Sequence, residues 1–101
     1  MTAAGCLVNV SDELPAGVGL VRTTKVFDST TVPDGLRRAH RIADGVWGRL
    51  VVSSGELTFV FEDDATSARR IGATSAVVIP PGRLHHVEID APVTFAIEFY
   101  R

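Results

Sequence analysis

Turn-forming residues recur along this chain at intervals of about eight to twelve residues, a spacing typical of an all-β sandwich or barrel. Short runs rich in valine, isoleucine, phenylalanine and threonine separate the turns, and these side chains favour an extended backbone. No window has a sustained helical period, so we expect no helix longer than about two turns. The clearest turn signals are Pro33-Asp34-Gly35, Asp44-Gly45, Ser53-Ser54-Gly55, Asp63-Asp64, Gly72 and Pro80-Pro81-Gly82.

Two runs alternate between apolar and polar residues, as half-buried strands do. The run Glu56–Glu62 has a leucine and two phenylalanines on one face, and the run Val93–Phe99 has a valine, an isoleucine and two phenylalanines on one face. We expect these stripes to exceed what the interior of so small a barrel can hold. One of them would then cover an interface between two copies, which predicts a homodimer.

Length and charge narrow the class of protein. A chain of 101 residues forms one domain, and we treat residues 1–13 as an N-terminal extension of it. The formal net charge of −2 argues against a nucleic-acid partner. Cys6 is the single cysteine, which excludes an intrachain disulfide and a cysteine-based zinc cage. No signal peptide or membrane span is expected, so the predicted location is the cytoplasm.

The turn Pro80-Pro81-Gly82 precedes a pair of histidines, His85 and His86. Two successive prolines end a strand abruptly, because proline cannot donate to a β ladder. In the strand that follows, His85 shares a face with Val87, whereas His86 lies on the opposite face and is expected to be exposed. His85 is therefore either a core histidine that bonds to a backbone carbonyl or a histidine that faces a pocket or ligand.

Three further positions carry possible chemistry. His40 lies among arginines, which favour the neutral imidazole that a metal ligand needs, although a lone histidine in a polar strand is often only a surface residue. Glu98 has small neighbours that leave space around its carboxylate, as in a cavity. Trp47 and Arg49 together are able to bind an anionic or planar ligand, or they form a packing tryptophan and a solvated arginine.

Short segments across most of the chain, taken in order, resemble the TehB/YeaR-like cupin family, which is named after tellurite-resistance proteins. The proline-glycine turn before His85 is similar to the second conserved cupin motif, in which such a turn delivers a metal-binding histidine. The resemblance implies a cupin-like double-stranded β-helix, an antiparallel jelly-roll barrel. The matching segments, across about residues 14–101, are Thr31–Leu36, His40-Arg41, Gly45–Leu50, Gly55, Ile79-Pro80-Pro81, His85 and Ile97–Tyr100.

The chain departs from the usual metal cupin in its first motif. The His-x-His pair is missing around His40, and Gly48 stands where a glutamate is typical. The resemblance leaves His40, His85 and Glu98 as a set of two histidines and one carboxylate, if the three converge. Such a set suits a divalent ion such as Zn, Fe or Ni.

The resulting hypothesis is a binding protein that holds a divalent metal through these three residues, with Trp47 and Arg49 placed for a small anionic ligand. The family resemblance adds a link to resistance against tellurite or other metalloid oxyanions. Some family members carry a fused methyltransferase; we expect none here, and no tellurite methylation. The alternative is a metal-dependent oxygenase, isomerase or lyase acting on a small molecule, for which no catalytic residues are assigned.

Overall fold

The computed structural model describes residues 13–101. The N-terminal extension predicted over residues 1–13, apart from its last residue, and Cys6 lie outside the described residues. Seven antiparallel strands and one short 3-10 turn make up the described part of the chain, which confirms the predicted all-β class. In residues 13–101 no helix is long and apolar enough to cross a membrane.

Most strands follow one another with short connections, as the closely spaced turn signals predict, but the connection over residues 29–46 is longer. The single 3-10 turn of the described residues, Asp34–Arg37, coincides with the predicted Pro33-Asp34-Gly35 turn and buries Leu36. The strands are β1 (Leu20–Thr23), β2 (Phe27–Asp28), β3 (Trp47–Phe61), β4 (Asp64–Gly72), β5 (Ala76–Ile79), β6 (His85–Glu88) and β7 (Val93–Tyr100).

Strand β3 organises the fold because its two halves belong to different sheets. Its first half pairs with β5 on one side and β7 on the other, and β1 and β2 pair with the far edge of β7. Its second half pairs with β4 and β6. The sequence predicts a turn at Ser53-Ser54-Gly55, and this prediction is wrong. The chain instead bends there without ending the strand, through a register shift between Val52 and Ser54 and a φ of 71° at Gly55.

The two halves of β3 face each other across one apolar core. Both apolar stripes of the sequence point into it: Leu57, Phe59 and Phe95 are at most 1% exposed. The expectation that one stripe would be left over for a dimer interface is therefore wrong, because the bend in β3 stacks the two sheets and each stripe covers the other. The homodimer itself stays a prediction.

The described strand pairings do not close into a complete barrel. On one side the gap is bridged by the segment that carries His40. It forms an isolated antiparallel bridge with His85 at the edge of β6. This bridge brings the loop between the 3-10 turn and β3 over the open end of the stacked sheets, where the candidate site lies.

Candidate functional site

His85 is held in the interior by the turn that the sequence singles out. Gly82 adopts a φ of 72°, a conformation that glycine tolerates best, and its N–H donates to the carbonyl of Ile42 at 2.9 Å. Strand β6 then begins with His85, which is only 2% exposed, while His86 on the other face is partly exposed. The prediction that the two histidines lie on opposite faces is confirmed, although His86 is partly buried rather than exposed.

The surroundings of His85 favour the neutral imidazole. Burial lowers its pKa below the ordinary value of 6.5, although a hydrogen bond to the Arg83 carbonyl opposes this shift. The Nδ1 atom lies 2.9 Å from that carbonyl oxygen. Because a carbonyl oxygen only accepts, Nδ1 carries the proton and donates it, which leaves the lone pair on Nε2. His85 is thus buried and bonded to a backbone carbonyl, as the first of the two alternatives describes, while a ligand role for it stays a prediction.

Aromatic rings continue from His85 in both directions. His85 stacks on Phe59 with ring centroids 5.4 Å apart, and Phe59 meets Phe61 edge to face at 5.0 Å. On the other side the His40 ring meets the His85 ring edge to face at 5.5 Å. Such geometries are those that aromatic pairs prefer. The column of rings therefore runs from the core to His40, whose side chain is exposed.

His40 lines a pocket at the open end of the sheets, with a volume of about 340 Å³. Val46 and Phe99 contribute apolar surface to this outer pocket, and Arg22, Arg41 and Arg101 contribute positive charge. The guanidinium carbon of Arg22 lies 4.8 Å from the centre of the Phe99 ring, so a cation–π contact holds it over the pocket wall. Neither Arg22 nor Arg41 forms an ion pair with a carboxylate among residues 13–101.

A second pocket of about 220 Å³ adjoins the first and is likewise open to solvent; we call it the inner pocket because its lining reaches the core residues Phe27 and Ile97. It shares His40 and Phe99 with the outer pocket, so these two side chains form the partition between the two spaces. The rest of its lining is almost wholly apolar and includes Leu36, Phe27 and Ile97. The open end of the fold therefore offers an apolar space next to three arginine side chains.

The structure does not bring Glu98 to the two histidines. Its neighbour Ile97 is buried in the core and lines the inner pocket, so Glu98 lies on the opposite face of β7. There its carboxylate accepts hydrogen bonds from Arg49 Nη1 at 3.0 Å and from the Tyr100 hydroxyl at 2.8 Å. The small neighbours that the sequence analysis interpreted as the lining of a cavity are instead part of this outer face.

Arg49 and Trp47 also lie on that outer face. Arg49 pairs directly with Glu98 across β3 and β7, and Trp47 pairs with Tyr100. Neither lines the outer or the inner pocket. Their predicted role in binding an anionic or planar ligand is not supported by this arrangement, since the Arg49 guanidinium is engaged by a carboxylate of the same face.

The residues of the inner face do not fit the metal set that the family resemblance suggests. Gly48, at the place of the usual glutamate, faces the core opposite Ile79 and Phe99. A Cβ atom at Gly48 would overlap the Cδ1 of Ile42, so an isoleucine fills the space that a glutamate side chain would need. Within residues 13–101 no group of three histidine, cysteine or acidic side chains is arranged to hold a metal ion. Metal binding and metal-dependent catalysis stay predictions.

The sequence analysis missed the residues that give the pocket its charge. Arg41 follows His40 directly, and it was considered only for its effect on that histidine. Arg22 lies in the edge strand β1, far from His40 along the chain, and no spacing rule connects them. Only the pairing of β1 with β7 brings Arg22 against Phe99.

The fold and the pocket define a small all-β domain whose open end carries an apolar, positively charged site. A family model, the TehB-like domain, matches residues 22–97. The chain therefore belongs to the TehB-like family, which relates it to tellurite-resistance proteins. No curated protein sequence matches the chain.

Several solved structures share the fold. A protein from Escherichia coli strain K12, a Northeast Structural Genomics Consortium target, superposes with a TM-score of 0.80 at 24% identity, over 88% of this chain and 95% of that one. TehB from Haemophilus influenzae superposes with a TM-score of 0.74 at 23% identity. The match covers 82% of this chain but only 31% of the TehB chain.

Proposed function

We propose that this protein binds a small anion in the outer pocket, with Arg22 and Arg41 as the groups that attract it. The observation that carries the proposal is the position of two guanidinium groups, neither paired with a carboxylate in the described part of the chain, around a pocket of about 340 Å³. Arginine suits this role because its planar fork donates two parallel hydrogen bonds to a carboxylate or oxyanion.

His40 adds a third polar group to the pocket. Its backbone is fixed by hydrogen bonds of 2.8 Å in both directions with His85. The imidazole therefore stands on a rigid support, and either ring nitrogen is able to bond to an anion: a protonated nitrogen donates to it. A site on a rigid support loses little conformational entropy when a ligand binds.

The TehB-like family makes tellurite the first inorganic anion to test. Binding of tellurite in this pocket would give the relation to tellurite resistance a physical basis. The proposal needs no metal ion, because the two arginines supply the positive charge.

Isothermal titration of the protein with tellurite, sulfate and acetate tests the proposal. We expect at least one of them to bind, and we expect Arg22→Gln and Arg41→Gln each to weaken binding about tenfold or more, because a hydrogen bond to a charged group is lost. Raising the salt concentration weakens binding as well, since these charges are solvent-accessible.

Arg38→Gln is the matched control. It removes one positive charge from the loop that carries Arg41, but Arg38 is not part of the lining of either pocket. The affinity of this variant is expected to stay within about twofold of the parent, since exposed charges beyond direct contact are screened by salt. Equal losses of affinity in all three variants would show that the net charge of the protein, and not contact in the pocket, controls binding. This result would overturn the assignment of the pocket.

A further inference from the structure

The partition between the two pockets bears on the class of ligand. His40 and Phe99 line both spaces, so a molecule seated between them would contact the charged outer pocket and the apolar inner pocket at once. A bare inorganic oxyanion fills only the charged part. It would leave the apolar surface of the inner pocket in contact with water, which is unfavourable.

The inner pocket has the size of a small organic group. Its volume is about 220 Å³, whereas an apolar cavity of about 150 Å³ is enough to hold benzene. The polar side chains in its lining are His40 in the partition and Thr24. The Thr24 hydroxyl already accepts a hydrogen bond from the N–H of Ile97 at 3.0 Å and donates to the Lys25 carbonyl at 2.8 Å. This space therefore suits a hydrocarbon chain or ring better than a polar group.

We propose that the ligand is an organic anion, a carboxylate with an apolar body of a few carbon atoms or one ring. The acid group lies at Arg22 and Arg41, and the apolar body passes the partition into the inner pocket against Leu36. This inference rests on the proposed function and names the ligand class of the same site.

A series of straight-chain carboxylates from acetate to hexanoate, together with benzoate and tellurite, tests the proposal by titration calorimetry. Each added methylene that enters the inner pocket is expected to tighten binding about fourfold until the space is filled. Hexanoate and benzoate then bind well over tenfold more tightly than acetate or tellurite.

Gly35 offers a way to fill the inner pocket. It lines that space, and a Cβ atom at this position meets no other atom within 4 Å. We expect the added side chain of Gly35→Leu to occupy part of the pocket, so that the gain from chain length decreases while acetate still binds. Gly72→Leu is the matched control, because a Cβ at Gly72 also meets nothing within 4 Å and Gly72 lines neither pocket.

A second measurement does not depend on any variant. In nuclear magnetic resonance spectra of the parent protein with benzoate, we expect Overhauser contacts between the ring protons of benzoate and the methyl groups of Leu36. Contacts with Val46 alone would place the ring in the outer pocket and overturn the inference.

The two proposals fail in different ways. If neither tellurite, sulfate nor any carboxylate binds, the proposed function fails and this inference fails with it. If tellurite or acetate binds as tightly as hexanoate, the anion site stands and the inference about an apolar body is overturned. A chain-length effect that persists in Gly35→Leu also overturns it, provided that the variant is folded and that Overhauser contacts place its added side chain against Phe27 in the inner pocket.

Discussion

The backbones of His40 and His85 exchange two hydrogen bonds, each 2.8 Å long, and their rings meet edge to face at 5.5 Å. One of the two residues is exposed in the pocket and the other is buried in the core. The pair therefore connects the loop that carries the pocket to strand β6, which begins at His85. A change in the charge of the His85 ring is therefore expected to affect the stability of the fold.

The buried position of His85 predicts a loss of stability in acid. Burial lowers its pKa in the folded protein below 6.5, so the unfolded chain takes up a proton that the folded chain does not bind. The free energy of unfolding should therefore decrease as the pH falls below about 6.5, until the folded-state pKa is reached. His85→Phe keeps a ring on Phe59 but does not titrate, and urea denaturation at several pH values should show a weaker dependence in this range. An unchanged slope would contradict the prediction.

His86 predicts the opposite behaviour at higher pH. Its Nε2 lies 2.9 Å from Glu88, and its Nδ1 contacts Glu62. The hydrogen bonds to these carboxylates raise the pKa of His86 above 6.5 although partial burial opposes the shift. The folded chain therefore holds a proton that the unfolded chain has lost, and this stabilisation is complete below about pH 6.5 and disappears as the pH rises through the folded-state pKa.

The variant His86→Gln tests this contribution. We expect it to lower the free energy of unfolding below pH 6.5 and to have less effect at pH values above the folded-state pKa of His86. The nuclear magnetic resonance titration of the His86 ring protons gives the pKa directly. A His86 that titrates below 6.5 would show that the two carboxylates do not stabilise the imidazolium.

The bend in β3 depends on Gly55. Its φ of 71° is unfavourable for residues with a side chain, and a Cβ atom would overlap the carbonyl oxygen of Pro92. Because that neighbour is backbone, it has little freedom to move away. We expect Gly55→Ala to lower the free energy of unfolding by about 1–3 kcal/mol or more. In urea denaturation the control Gly72→Ala, which has open space for its methyl group, should change it by less than about 1 kcal/mol.

The sequence predicted those features that depend on local chemistry. The turn at Gly82, the alternation at His85 and His86 and the apolar stripes all follow from residue types and a period of two, and each is found in the structure. The bend at Gly55 was missed because a glycine after two serines also signals a turn, and only the continued pairing with β7 distinguishes the two. The outer face of Glu98 follows from the same alternation, since its neighbour Ile97 is buried. It was missed because the small neighbours of Glu98 were interpreted as the lining of a cavity.

The register of β7 leads to a last prediction, about metal uptake. Because Glu98 lies on the face opposite the histidines, any zinc taken up through His40 and His85 should not depend on it. Titration calorimetry with Zn²⁺ should give the same result for Glu98→Gln as for the parent protein, whereas His85→Ala should reduce whatever binding the parent shows.

The titration of Tyr100 serves as an internal control for Glu98→Gln, because it tests whether Glu98 contacts Tyr100 on the outer face. The hydrogen bond to Glu98 raises the pKa of Tyr100, which is the single tyrosine of the chain. In the variant the negative charge is gone, so the phenol should ionise at lower pH in an ultraviolet absorbance titration. If Glu98→Gln abolished zinc binding and left the Tyr100 titration unchanged, Glu98 would be a metal ligand beside the histidines, and the register of β7 described here would be wrong.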